Sequence, residues 1–322
     1  MPTMNIIQAV NDALRTQMRL DDRVVVLGED VGKFGGVFRA TQGLQQEFGA
    51  ERVVDTPLSE SGIIATAIGM ALYGLRPVPE AQFADFIYPA FDHIVNELAK
   101  YRYRSGGQYP CPVVIRTPYG GGIKGGHYHS QSNEAYWAHT PGLKVVIPSN
   151  PYDAKGLLLA SMRQDDPVIF MEPKRVYRAA KGDVPDTDYT VEIGKAKVVK
   201  EGRAVTVLAY GSMVHTAIEA LNKAPEIDAE LIDLRTIVPL DIDTVIASVE
   251  KTGRVVIVQE APRTAGIAAE LTALINEKAF LSLEAPVQRV TGWDTPFPYT
   301  LDLEYLPSAD RVVQAMRRAL NF

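Results

Sequence analysis

Short apolar runs rich in β-branched residues return along this chain, and a helical pattern follows most of them. Val24-Val-Val-Leu27, Arg52-Val-Val54, Pro77–Gln82, Val113-Val-Ile115, Lys144–Pro148 and Pro167–Met171 read as strands. Residues 5–18 place Ile6, Ile7, Val10, Leu14 and Met18 at helical spacing, and 62–72 form a helix of small residues. A helix over 90–102 carries Phe91, Ile94, Val95 and Leu98 on one face, and Asn150 caps another that runs to Arg163. Strands this uniformly apolar, alternating with helices, require a parallel sheet covered on both faces. A second series has strands at Val205–Leu208, Glu230–Ile232, Val255–Val258 and Val287–Val290. Its helical patterns lie near 212–223, 241–250, 264–277 and 309–320. The expected class is α/β in two domains, which suits 322 residues. The composition turns charged and polar after Lys174, so the expected division is 1–180, a linker over 181–195, and 196–322.

Charge and cysteine content narrow the function. A formal net charge of −6 argues against a general nucleic-acid binder. The single cysteine, Cys111, rules out an internal disulfide and a cysteine-only zinc site, and favours a reducing, cytoplasmic setting. No apolar run reaches the roughly 18 residues of a membrane span, and the first residues lack the basic and apolar regions of a signal peptide.

Two stretches carry candidate chemistry. Asp55-Thr-Pro-Leu-Ser-Glu-Ser-Gly62 sets Glu60 where a strand hands over to a helix, the usual ligand edge of an α/β sheet. A cap and first-turn acid would account for Ser59 and Glu60 equally well on local grounds. The strand at Val113 exits through a Gly-rich loop to Ser132 that includes His127 and His129. Glycines allow close approach of backbone to a ligand, and long ordered loops are often functional. No Walker-type phosphate motif occurs, and no third ligand with metal spacing follows the two histidines. Phe83, Phe86 and Tyr88 follow another strand end, where an aromatic could flank a flat ring or simply pack the core.

Taken together these stretches resemble the β subunit of the decarboxylase component of 2-oxo acid dehydrogenase complexes, a thiamine diphosphate family related to transketolase. The resemblance covers essentially the whole chain. It rests on Leu27-Gly-Glu-Asp-Val-Gly32, Asp55-Thr-Pro-Leu-Ser-Glu60, Gln82-Phe-Ala-Asp-Phe-Ile87, Tyr128-His-Ser-Gln-Ser132, Pro151-Tyr-Asp-Ala-Lys-Gly156 and Ile232-Asp-Leu-Arg-Thr236. It implies a pyrimidine-binding domain followed by a transketolase C-terminal-type domain. It implies an α2β2 heterotetramer with an α subunit, and a lipoyl-bearing acyltransferase component as the further partner. By position, Glu60 matches the acid at the cofactor's aminopyrimidine, Phe86 an aromatic at that ring, and Leu58 and Gln82 flanking contacts. His129 matches the active-site histidine of the β chain. Some relatives hold a structural potassium ion, and the matching positions are Val113, Val114, Ser161, Gln164 and Asp166. Family members hold magnesium through a Gly-Asp-Gly motif that this chain lacks, so magnesium is expected on the α subunit. Tyr128–Ser132 with Glu134–His139 is closer to branched-chain members than to pyruvate members. The implied activity is oxidative decarboxylation of a branched-chain 2-oxo acid with reductive acylation of the lipoyl group. A pyruvate enzyme, a transketolase-like half-enzyme acting on sugar phosphates, and a scaffold without catalysis are the alternatives.

Overall fold

β-Branched residues with no polar face assemble as their composition demands. In the computed structural model, which describes residues 1–322, the first series forms strands β1 (Val24–Gly28), β2 (Val53–Asp55) and β3 (Arg76–Glu80). It continues with β4 (Val114–Tyr119), β5 (Lys144–Val146) and β6 (Val168–Pro173). Their order is β5-β6-β4-β3-β1-β2, and every pairing among them is parallel. The helices Ile6–Leu20 and Pro151–Met162 pack against each other. The first is closed by a reciprocal capping box, Asn5 with Gln8. The second is buried except at Tyr152, and its one internal cation, Lys155, is held 2.6 Å from Asp12.

The second series forms β7 (Lys197–Lys200), β8 (Val205–Ala209), β9 (Ala229–Asp233), β10 (Val255–Val258) and β11 (Gln288–Val290). The order is β11-β10-β8-β9-β7, parallel except for the antiparallel edge strand β7. Helices Ser212–Lys223 and Ala309–Leu320 share a core with this sheet. No helix is long and apolar enough to cross a membrane.

Three features depart from the sequence reading. The helix expected over 90–102 is helical but irregular: it widens to π geometry over His93–Leu98, where Ala99 N–H reaches Ile94 O, and turns at 99–100 before a short helix Tyr101–Arg104. Strand β7 escaped notice because Lys-Val-Val-Lys is exposed throughout, with no buried face to create alternation. Residues 181–195, expected to be a linker, pack into the first unit as far as Ile193. Lys181–Asp183 pairs antiparallel with Thr3–Asn5, and Val184 and Val191 enter the first core.

The chain separates into two compact units, and the division is not sequential. One comprises Met1–Tyr119 with Tyr136–Ile193, the other Gly120–Ala135 with Gly194–Phe322. The Gly-rich loop thus groups with the second unit, although the strand that leads into it belongs to the first.

Candidate active site

Parallel strands end together, so the residues following β1, β2 and β3 share one sheet edge. The register aligns Gly28 with Asp55 on one side and with Glu80 on the other. Glu29, Glu60 and Gln82 follow these three adjacent strand ends. Glu60 is the first residue of helix Glu60–Leu72, and Ser59 caps that helix by accepting from Gly62 N–H. Both local roles expected of this pair are thus present, and the helix dipole favours a carboxylate at that end. Asp55 fixes the turn: its carboxylate accepts from Gly32 N–H (2.5 Å) and Lys33 N–H (3.1 Å). A side chain at position 32 would strike that carboxylate, a Cβ there lying 2.6 Å from Oδ2.

Gln82 donates to Glu29 O (3.4 Å). Phe86 is half-buried, edge-on to Phe83, which in turn meets Phe38. Ser61 Oγ donates to Pro89 O (2.5 Å), tying the helix of Glu60 to the turn that carries Phe86. Leu58 lies in the connecting turn and is 71% exposed. The structure therefore gathers Leu58, Glu60, Gln82 and Phe86 at one edge of the first unit.

Beneath that edge lies a buried charge network. Arg116 on β4 grips Glu172 with two hydrogen bonds (2.7 and 3.1 Å) and Glu80 with one (2.8 Å), and the Tyr177 hydroxyl donates to Glu172. Burial raises the Glu80 carboxyl above its ordinary value even though Arg116 draws it down. One guanidinium between two carboxylates leaves an excess negative charge, which a proton on Glu80 would relieve. Glu29 was not singled out from the sequence. Its carboxyl is raised by burial, then by the Asp30 and Glu60 carboxylates, so it stands close enough to Glu60 to feel its charge. Its signal was present in Leu27-Gly-Glu-Asp, but only strand order makes it a neighbour of Glu60.

His129 belongs to the second unit, at the end of a short 3-10 turn Gly126–Tyr128, and is half-buried. His127 is packed between rings, with Tyr128 at 4.0 Å and Tyr299 at 5.5 Å.

The donor set suits an aminopyrimidine: a half-buried carboxyl to hydrogen-bond ring nitrogen, and an aromatic ring on the turn tied to the same helix. The potassium positions are less welcoming. Lys144 Nζ already sits 2.5 Å from Gln164 Oε1 and 3.3 Å from Asp166 Oδ2, and Arg102 pairs with Asp166 at 2.6 Å. Arg76 donates to Gln164 O, Ser161 Oγ donates to Leu157 O, and Val113 O accepts from Val168 N–H. Of these positions, Gln164 and Asp166 already meet lysine and arginine side chains.

Sequence profiles match along both units: the pyrimidine binding domain of transketolase at residues 2–180, and the transketolase C-terminal domain at 194–312. A solved split-gene transketolase, described as an inactive β4 tetramer, superposes with a TM-score of 0.80 at 24% identity, over 99% of this chain and 98% of that one. The two matched domains thus define a protein of the transketolase-type, thiamine diphosphate-dependent class. Nearer relatives are the mitochondrial 2-oxoisovalerate dehydrogenase subunit beta of Dictyostelium discoideum, 56% identical over 99% of this chain and 87% of its own length, and two bacterial proteins. These are a pyruvate dehydrogenase E1 component subunit beta of Bacillus subtilis (52%, all of both chains) and a 2-oxoisovalerate dehydrogenase subunit beta of Pseudomonas aeruginosa (51%, 99% and 95%). The chain belongs to the family of 2-oxo acid dehydrogenase β subunits.

Proposed function

We propose that this chain is the β half of a thiamine diphosphate-dependent decarboxylase that acts on branched-chain 2-oxo acids and works only with an α subunit. The observation that carries the reading is Glu60, half-buried at the start of a helix whose Ser61 is tied to the turn that carries Phe86. The cofactor, when bound, supplies an electron sink for decarboxylation. Glu60 would hydrogen-bond the aminopyrimidine nitrogen of the bound cofactor and share a proton there. Phe86 presents its ring to the pyrimidine, and Leu58 and Gln82 flank it. His129 moves a proton at the sulfur of the incoming lipoyl arm, or holds the substrate carboxylate.

Domains 1–180 and 196–322 serve as the pyrimidine-binding and C-terminal domains of an α2β2 heterotetramer. The α subunit holds magnesium and the diphosphate, because no Gly-Asp-Gly motif occurs here; Gly182-Asp183-Val184 is the nearest piece. The acyl group leaves on the lipoyl arm of the acyltransferase component. Buried Cys111, its thiol pushed up to about 12 by burial, suits a protein with no disulfide to make in the cytoplasm.

Glu60→Gln in the assembled complex is expected to lower decarboxylation about 10³-fold, some 4 kcal/mol of barrier, with an unchanged circular dichroism spectrum. Near wild-type turnover by that folded complex would end the proposal. Calorimetric titration should show magnesium-dependent thiamine diphosphate binding only after the α subunit is added. For substrate choice, kcat/KM for 2-oxoisovalerate should exceed that for pyruvate. An extra buried methylene contributes about 1–3 kcal/mol, so the margin is modest, and a clear pyruvate preference would reverse the assignment.

A further inference from the structure

Both ends of the loop Gly120–Ala135 are fastened to the second unit by buried carboxyls that none of the chemistry above uses. At its entrance, Glu260 accepts from Gly121 N–H with Oε1 and from Ser212 Oγ (2.6 Å) with Oε2. The fit leaves no space: a Cβ at Gly120 would lie 2.6 Å from Glu260 Oε1, and one at Gly121 would lie 2.4 Å from the Phe297 ring. Near its exit, Glu134 Oε1 accepts from the Tyr210 hydroxyl (2.6 Å). Tyr210 and Ser212 flank Gly211, the turn between β8 and the helix Ser212–Lys223, so one turn holds both ends of the loop. Between them, Lys124 N–H donates to Asp302 (3.2 Å) and Tyr299 closes over Gly126. Glu134 is raised to about 7, first by burial, with Tyr210 drawing it down and Glu260 pushing it up, which marks the two carboxyls as near neighbours.

We propose that Glu260, braced by Ser212, is a positioning residue that holds the Gly-rich loop so that His129 is presented for acyl transfer. The second domain would then shape the catalytic loop as well as mediate assembly. This rests on the role given to His129 above. Backbone hydrogen bonds to a buried carboxylate are strong and directional, and a displacement of about 1 Å in a reacting group can cost on the order of 100-fold in rate.

The test uses the reconstituted α2β2 complex with Glu260→Ala, Glu260→Gln and Ser212→Ala. Two readouts are taken: trypsin cleavage after exposed Lys124, and the ratio of lipoyl acylation to decarboxylation measured with an artificial electron acceptor. Glu260→Ala is expected to speed cleavage and to lower that ratio, each by about tenfold. Glu260→Gln should restore most of both, since its amide oxygen still accepts from Gly121 N–H and its amide nitrogen donates to Ser212 Oγ. Ser212→Ala should fall between, and it carries the decision if the Glu260→Ala complex does not assemble. Wild-type protection of Lys124, or a loosened loop with an unaltered ratio, overturns the proposal. A fully active His129→Ala complex would refute the histidine's role instead, and Glu260→Ala would then still expose Lys124.

Discussion

Residues act here through what faces them, and Arg116 shows it most plainly. Its guanidinium is buried and satisfies two carboxylates on neighbouring strands. Arg116→Met would leave Glu80 and Glu172 facing each other without a cation, and stability should fall by about 3–5 kcal/mol. A lowered denaturant midpoint with an unchanged slope would show this. The three charged residues could be read from the sequence only as unremarkable strand members; that they meet is a property of strand order β6-β4-β3. The helix start at Glu60 was legible for the opposite reason. Cap, acid and following helix lie within a few residues of one another, so local chemistry suffices to place it. Glu260 sits 139 positions from Gly121, and nothing local announces such a partnership.

Elements follow the same division between near and far. Asn150 accepts from Asp153 N–H (2.9 Å) and begins the buried helix Pro151–Met162. Asn150→Ala should lower stability by about 1 kcal/mol, measured as a shift in thermal midpoint, with little effect on catalysis. This cap was readable, as were the apolar strands and most helix bounds, because each depends on contiguous residues. The segment 90–102 reads as one regular helix because its apolar spacing is helical, whereas its backbone widens over His93–Leu98 and turns at 99–100. The stretch 181–195 looked polar enough for a linker, yet a few apolar side chains and one short strand pairing bind it to the first unit.

At the scale of the whole molecule, stability and pH are linked through Glu134. Its Oε2 is buried with no hydrogen-bond partner, and burial holds the carboxyl up at about 7 against an ordinary 4.5. The folded chain keeps this proton where the unfolded chain has released it, so stability falls as pH rises from 4.5 to about 7. The effect is at most about 3 kcal/mol. Tyr210 and Glu260 face the group; Glu134→Gln keeps an acceptor for Tyr210 and should flatten this part of the profile of thermal midpoint against pH. The interleaved division of the chain also sets an order of events during synthesis. Residues 120–135 leave the ribosome well before 194–322, the segment with which they form a unit. The first unit is assembled from segments on either side of that loop, and the partners of Gly121 and Lys124 arrive 139 and 178 residues later. Contacts of such long range form late. In pulse-labelling hydrogen exchange, the amides of Gly121 and Lys124 should gain protection together with β10, after those of β1 and β3, so the polypeptide would be largely folded before its histidine loop is set.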